Sequence, residues 1–177
     1  MPKPRRQASD AELRDSRLVF YEDDIQQIDA TLREFITRSK SKAAMLVDKD
    51  GHLITQQGST ESVDTDTISA LVAGCFAATR EMARIMGEEE FSALFHQGRK
   101  DNLQLSLVGS RTILAMLFDD ATTIGMVRLY SAESARKLTS LFRRIGGRSG
   151  APDDSHASLS GFEAAAANTL EDVFGGD

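Results

Sequence analysis

The residues of this chain that are equipped for chemistry do not converge on a site. Three histidines, His52, His96 and His156, fall in a turn, a loop and a linker, and none stands at ligand spacing from a cysteine or another histidine. Asp48 and Asp50 with His52 come nearest to a metal set. Two carboxylates around Gly51 are, however, what a tight turn needs, because short acidic side chains bond their own backbone two residues on. No GxSxG, HExxH, CxxC or GxxxxGK[ST] pattern occurs, and the fragment Gly146–Gly150 neither has phosphate-loop spacing nor follows a strand. Ser110-Arg111 and Asp119-Asp120 lie at strand ends, where sites occur but where loops need polar residues in any case. Arg80, Arg84 and Arg111 read as solvated surface charges. No catalytic residue, metal or cofactor is therefore assigned, and function is expected to reside in surfaces.

The element that would present such a surface runs from Asp64 to Gly87. Asp64, Thr65 and Asp66 suit a helix start and its positive end, and Gly87 suits a left-handed C-terminal residue. At about 100° per residue, Ile68, Leu71, Val72, Cys75, Thr79, Met82 and Met86 share one face, expected to be core. Ala70, Ala73, Gly74 and Ala77 lie opposite, where a surface helix should show Lys, Glu and Gln, with Arg80, Glu81, Arg84 and Glu88 following. Gly74 costs about 1 kcal/mol relative to Ala inside a helix. Ala70, Gly74 and Ala78, at four-residue spacing, would let a second backbone approach. Either the helix is wedged inside its own domain, or its small face is a subunit or partner interface.

The totals agree with a binding protein. One domain plus tails is expected from 177 residues. No apolar run approaches the ~20 residues of a membrane span, and the N-terminus lacks the apolar region of a signal peptide. A single Cys75 makes no internal disulfide, so reducing cytoplasm is the expected compartment. All 21 Lys and Arg lie within residues 1–150, with 21 of the 27 Asp and Glu, so this body is neutral and the remainder carries the net −6. A neutral body has no basic footprint for nucleic acid, whereas an acidic tail suits a protein partner.

Four parts are expected. Residues 1–18 form a disordered basic arm, 19–146 the folded domain, 147–159 a flexible linker and 160–177 a detached amphipathic helix. In the domain, Glu22-Asp23-Asp24 opens a helix with the stripe Ile25, Ile28, Leu32, Phe35 and Ile36. Ala43–Val47 and His52–Gln56 flank Asp48–Gly51 as a hairpin. After the central helix come three strand-like runs, Asn102–Val108, Thr112–Phe118 and Ile124–Tyr130. A last helix is capped by Ser131, lined by Ala135, Leu138, Leu141, Phe142 and Ile145, and ended by Gly146-Gly147. This order is an α+β fold, a three-layer α/β/α sandwich (α-ββ-α-βββ-α) with a five-stranded antiparallel sheet. The capping box Ser160–Glu163 opens the terminal helix, with Phe162, Ala166, Leu170, Val173 and nearby Phe174 on its apolar side. It either docks on its own domain or lies in a partner's groove.

The order and spacing of several segments carry a family likeness: Leu46–Gly51, Ser69–Gly74 with Ala77-Ala78, Phe95–Gly98, Val108–Arg111, Leu117–Asp119 and Gly125–Leu129. Over roughly residues 20–145 the chain resembles the Roadblock/LC7 domain family, and within it the bacterial MglB proteins, which regulate the Ras-like GTPase MglA. Leu170–Phe174 is similar to the C-terminal helix of those proteins. The resemblance implies a homodimer in which an edge strand, here Asn102, Leu103, Gln104, Leu105, Ser106 and Leu107, pairs across a two-fold axis. It implies a helix-pair platform for an MglA-type small GTPase built from Ala70, Ala73, Gly74 and Ala77, with Arg80 and Arg84 at its rim. The implied activity is stimulation of GTP hydrolysis in cell polarity and gliding motility, at a cell pole through partners that include other polarity proteins. No arginine finger is implied, GTP and Mg belong to the partner, and the C-terminal helix binds a second GTPase surface or aids nucleotide exchange. A Roadblock scaffold that binds without accelerating hydrolysis, and a small-molecule sensor with an apolar cavity, are the competing expectations.

Overall fold

The protein is described by a computed structural model covering residues 20–60, 63–88 and 91–149. The basic arm, nearly all of the linker and the terminal segment with Phe162, Ala166, Leu170, Val173 and Phe174 lie outside the described residues. The elements are α1 (Glu22–Ser39), β1 (Ala43–Asp48), β2 (Leu53–Gly58), α2 (Thr65–Ile85), β3 (Ala93–His96), β4 (Asn102–Val108), β5 (Thr112–Phe118) and α3 (Ile124–Ser149).

The strands form one antiparallel sheet in the order β2-β1-β5-β4-β3. Alternation along each strand sends side chains to two cores. On one face, Ala44 and Leu46 of β1 and Leu114, Met116 and Phe118 of β5 meet α1 and α3. On the other, Met45, Val47, Leu105, Ile113 and Ala115 meet α2. β1 and β5 are thus covered twice, which is why residues 113–118 are apolar throughout. The three layers and five antiparallel strands match the sequence expectation.

Three assignments inside that order do not. Ile124–Tyr130 is the first two turns of α3, not a strand. Thr123 Oγ1 accepts the Met126 N–H, 3.3 Å, at the helix start. Buried Val127, Ser131, Ser134, Leu138, Leu141 and Ile145 then continue one helical stripe without a break. Ser131 is consequently no cap: it lies mid-helix and donates to the Arg128 carbonyl, 3.0 Å. Gly146-Gly147 does not end the helix, which runs to Ser149. The fifth strand is instead the four-residue β3, paired to β4 from Ala93↔Ser106 to His96↔Leu103. Phe95 secures β3 by stacking on Phe118, ring centroids 6.1 Å apart.

The start of α1 and both ends of α2 follow their sequence signals. The Tyr21 N–H donates to the Asp24 carboxylate, 3.0 Å, at the start of α1, and left-handed Lys40 ends that helix. Asp64 caps α2 by accepting from the Thr67 N–H and hydroxyl, which holds its carboxyl below the usual range. Gly87, at φ +83°, closes α2. Among the described residues, no helix is long and apolar enough to cross a membrane.

Candidate functional site

Among the described residues, the outward side of α2 and its C-terminal end carry four of the exposed large hydrophobic side chains. The helix is anchored by Ser69, Val72, Ala73 and Phe76, all buried, at the i, i+3, i+4, i+7 spacing of one face. The Phe76 ring packs on Phe91 with centroids 5.0 Å apart. This corrects the orientation drawn from sequence by a large rotation about the helix axis. Leu71, Met82, Ile85 and Met86 are 62%, 56%, 72% and 77% exposed, and Cys75 is exposed with them. Of the expected core face, Val72 is buried and Ile68 packs on the core, whereas Leu71, Cys75, Met82 and Met86 are surface. Ala73, expected on the small open face, is 6% exposed and belongs to the core.

At about 100° per residue the outermost stripe reads Leu71, Gly74, Ala78, Met82, Ile85: large residues at both ends and a notch between them. A Cβ at Gly74 would meet nothing within 4 Å, so packing within the protomer does not require glycine there. Three exposed large apolar side chains on one helix, with Met86 just past its end, are a patch of the kind that marks an interaction surface.

Ala77, Arg80 and Arg84 lie to one side of the stripe, along an open cleft of about 800 Å³. Phe91, Leu107 and Ile113 supply its apolar lining, with Lys49, Asp50 and Ser110 at the neighbouring turns. Ala70 faces the β1–β2 turn, where a Cβ at Gly51 would stand 3.0 Å from its Cα. Arg84 is engaged within its own helix: its guanidinium donates to both oxygens of Glu81, the shortest contact being 2.6 Å. That bond holds the Glu81 carboxyl below the usual range and the Arg84 guanidinium above its own. Arg111 sits 3.8 Å from Asp50 and accepts the Lys49 N–H at its carbonyl.

The Asp48 carboxylate performs turn chemistry. Its Oδ1 accepts the N–H groups of Asp50 and His52, each at 2.9 Å, and its Oδ2 is 3.2 Å from His52 Nδ1. Burial raises the Asp48 carboxyl, but these bonds outweigh it and hold the group low.

The strand Asn102–Leu107 is not an edge. β4 pairs with β5 along its whole length and with β3 over Leu103–Ser106, and the Leu107 N–H donates to the Ser92 carbonyl, 2.8 Å. Asn102, Leu103, Gln104, Leu105, Ser106 and Leu107 therefore have no free edge backbone to offer, and Gln104 and Leu105 are buried. The free edges of the sheet are β3 and β2. The sequence reading missed β3 as an edge and Leu71, Met82, Ile85 and Met86 as surface. Phe76 was the available signal, since centring the buried face on the one aromatic of α2 turns those four residues outward.

The sequence model described as Roadblock/LC7 domain matches residues 27–118. The fold is similar to the solved structure of Myxococcus xanthus MglB, with 38% identity and a TM-score of 0.67 over 72% of this chain and 96% of that one. It is also similar to the gliding protein MglB of Thermus thermophilus, with 26% identity and a TM-score of 0.67 over the same shares. A structure described as MglB with tetrameric arrangement gives 26% identity and a TM-score of 0.68, again over 72% and 96%.

Proposed function

From membership of the Roadblock/LC7 domain family, to which this chain belongs as an MglB-like protein, we propose that it is a dimeric GTPase-activating regulator of an MglA-type, Ras-like small GTPase. The observation that carries the reading is the open apolar stripe of α2, with its glycine notch and flanking cleft. A partner seated there would cover Leu71, Met82 and Ile85 and bring its own backbone close at Gly74 and Ala78.

Two copies would join through the β3 edge, placing their α2 helices side by side and removing the liability of an unpaired strand. Because β4 lies inside the sheet, the edge we assign to this pairing is Ala93–His96 in place of Asn102–Leu107.

The chain supplies no catalytic residue in this account. Arg84 is clamped by Glu81 and Arg111 lies by Asp50, so neither is held ready as a finger. Arg80 stays a rim charge. Activation would come from remodelling the switch regions of the GTPase, so that the partner's own Arg and water-positioning Gln reach the γ-phosphate. An arginine brought into place is worth about 10³–10⁵ in rate, so positioning one that the partner already owns suffices. Residues 160–177 would contact a second surface of the GTPase and aid binding or nucleotide exchange.

A Roadblock scaffold would bind the same GTPase and leave its hydrolysis unchanged. Single-turnover GTP hydrolysis with and without the protein separates the two. The sensor reading loses ground because both sheet faces are filled by buried side chains, and the cleft beside α2 is open rather than enclosed.

A further inference from the structure

α3 has a charge pattern that the α2 surface does not use. It contains Arg128, Arg136, Lys137, Arg143, Arg144 and Arg148 against the single acid Glu133. Lys137 is held by Glu34 and Glu133, and Arg144 donates to Gln27. Arg128, Arg136 and Arg143 are exposed and form no ion pair among the described residues. At about 100° per residue, Leu129, Ala132, Arg136 and Arg143 share an arc of roughly 60° on the outside of the helix, with Arg128 to one side. Leu129 is 61% exposed and Met126 41%. A shallow groove of about 460 Å³, with Ser140 and Leu141 among its lining, runs beside Arg136.

This face asks for a ligand that is acidic and partly apolar. Arginine forks match carboxylates in a bidentate way that lysine does not, and Leu129 needs an apolar counterpart. Anionic lipid, which recruits clusters of about 4–8 basic residues, is the competing ligand; an acidic and partly apolar segment within this same chain favours the peptide. Residues 151–177 carry Asp153, Asp154, Glu163, Glu171, Asp172 and Asp177, with no Lys or Arg. Within them, Leu170-Glu171-Asp172-Val173-Phe174 puts two carboxylates among three apolar side chains.

We propose that the outer face of α3 docks the acidic C-terminal segment, residues 160–177, of a second copy of this chain. Opposite charge and a matched apolar content support it. So does the existence of a tetrameric arrangement for a similar MglB, which shows that a protein of this kind assembles beyond a pair. The proposal needs no GTPase, and it draws on the same segment that the activating role presents to the GTPase, so the two engagements compete.

The test is a titration of a fluorescent peptide of residues 159–177 with full-length protein whose own segment is silenced by Glu163→Gln, Glu171→Gln and Asp172→Asn. Saturable binding at 50 mM salt is expected. It should weaken tenfold or more when Arg136→Glu and Arg143→Glu are added, and be only partly recovered by Arg136→Lys and Arg143→Lys, which keep the charge without the fork. Circular dichroism melts of each variant report that the fold is intact. If the charge-reversed pair fails to fold, Leu129→Ser takes its place and should weaken binding at least threefold. Absence of binding, binding indifferent to these substitutions, or equal binding of a scrambled peptide of the same composition would overturn the proposal. Arginine-dependent binding to vesicles with 30% anionic phospholipid, without peptide binding, would overturn it in favour of a membrane contact.

Discussion

Gly51 of the β1–β2 turn is seated against Ala70 of α2, where an added Cβ would approach the Ala70 Cα to 3.0 Å. Its φ of +94° is closed to most side chains. Two small residues thus dock the hairpin onto the helix, and Ala70 owes its size partly to its own protomer. Gly51→Ala is expected to cost about 1–3 kcal/mol, the usual expense of an unfavourable backbone conformation, lowering the thermal midpoint by several degrees. An unchanged midpoint would contradict the contact.

Gly74 behaves in the opposite way. It is helical, and nothing lies within 4 Å of a Cβ built there. Gly74→Ala should stabilise the protein by up to about 1 kcal/mol in thermal or denaturant unfolding. Combined with weakened GTPase stimulation, that gain would identify the notch as kept for a partner. A loss of stability would mean that the notch serves the fold.

The rotation of α2 predicts a contrast between neighbouring residues. Phe76→Ala removes a buried ring packed on Phe91 and should cost about 3–5 kcal/mol. Met82→Ala and Ile85→Ser alter exposed side chains and should change monomer stability by no more than about 0.5 kcal/mol, while weakening whatever binds α2. Similar costs at Phe76 and Met82 would restore the sequence-derived orientation.

A network of four charges ties α1 to α3. Lys137 donates to both oxygens of Glu34 at 2.9 Å, and Arg38 donates to Glu133 at 2.6 Å while lying over the Tyr130 ring. The bond from Lys137 holds Glu34 below the usual carboxylate range, and the bond from Arg38 does the same for Glu133. A depressed carboxyl stabilises the fold above its unfolded pKa, and that contribution is lost as pH falls through the folded value. The thermal midpoint should therefore drop between about pH 5 and pH 3, with a smaller drop in Glu34→Gln/Glu133→Gln. Equal acid sensitivity in that variant would remove the network from the account.

The layers were legible in the sequence because periodicity reports burial. Ile28, Leu32 and Phe35 announced α1, and the unbroken TILAMLF announced a strand covered on both faces. The errors arose where periodicity was overridden or too short to register. Ile124-Gly125-Met126-Val127 read as a strand because glycine and β-branched residues disfavour helix, yet Thr123 and the stripe from Val127 to Ile145 fix it as one. β3 spans four residues, too few to show alternation, and its absence made β4 look like an edge. The orientation of α2 is not legible from apolarity because its exposed stripe and its buried stripe are equally apolar, and only the position of Phe76 distinguishes them.

The central claim rests most directly on single-turnover GTP hydrolysis by the cognate Ras-like GTPase, with and without this protein and with its Gly74→Arg variant. The account predicts acceleration of at least about tenfold, a drop of roughly 1.4 kcal/mol in the barrier, lost in a Gly74→Arg protein that remains folded and dimeric. No acceleration despite binding, or undiminished acceleration by that variant, would contradict it.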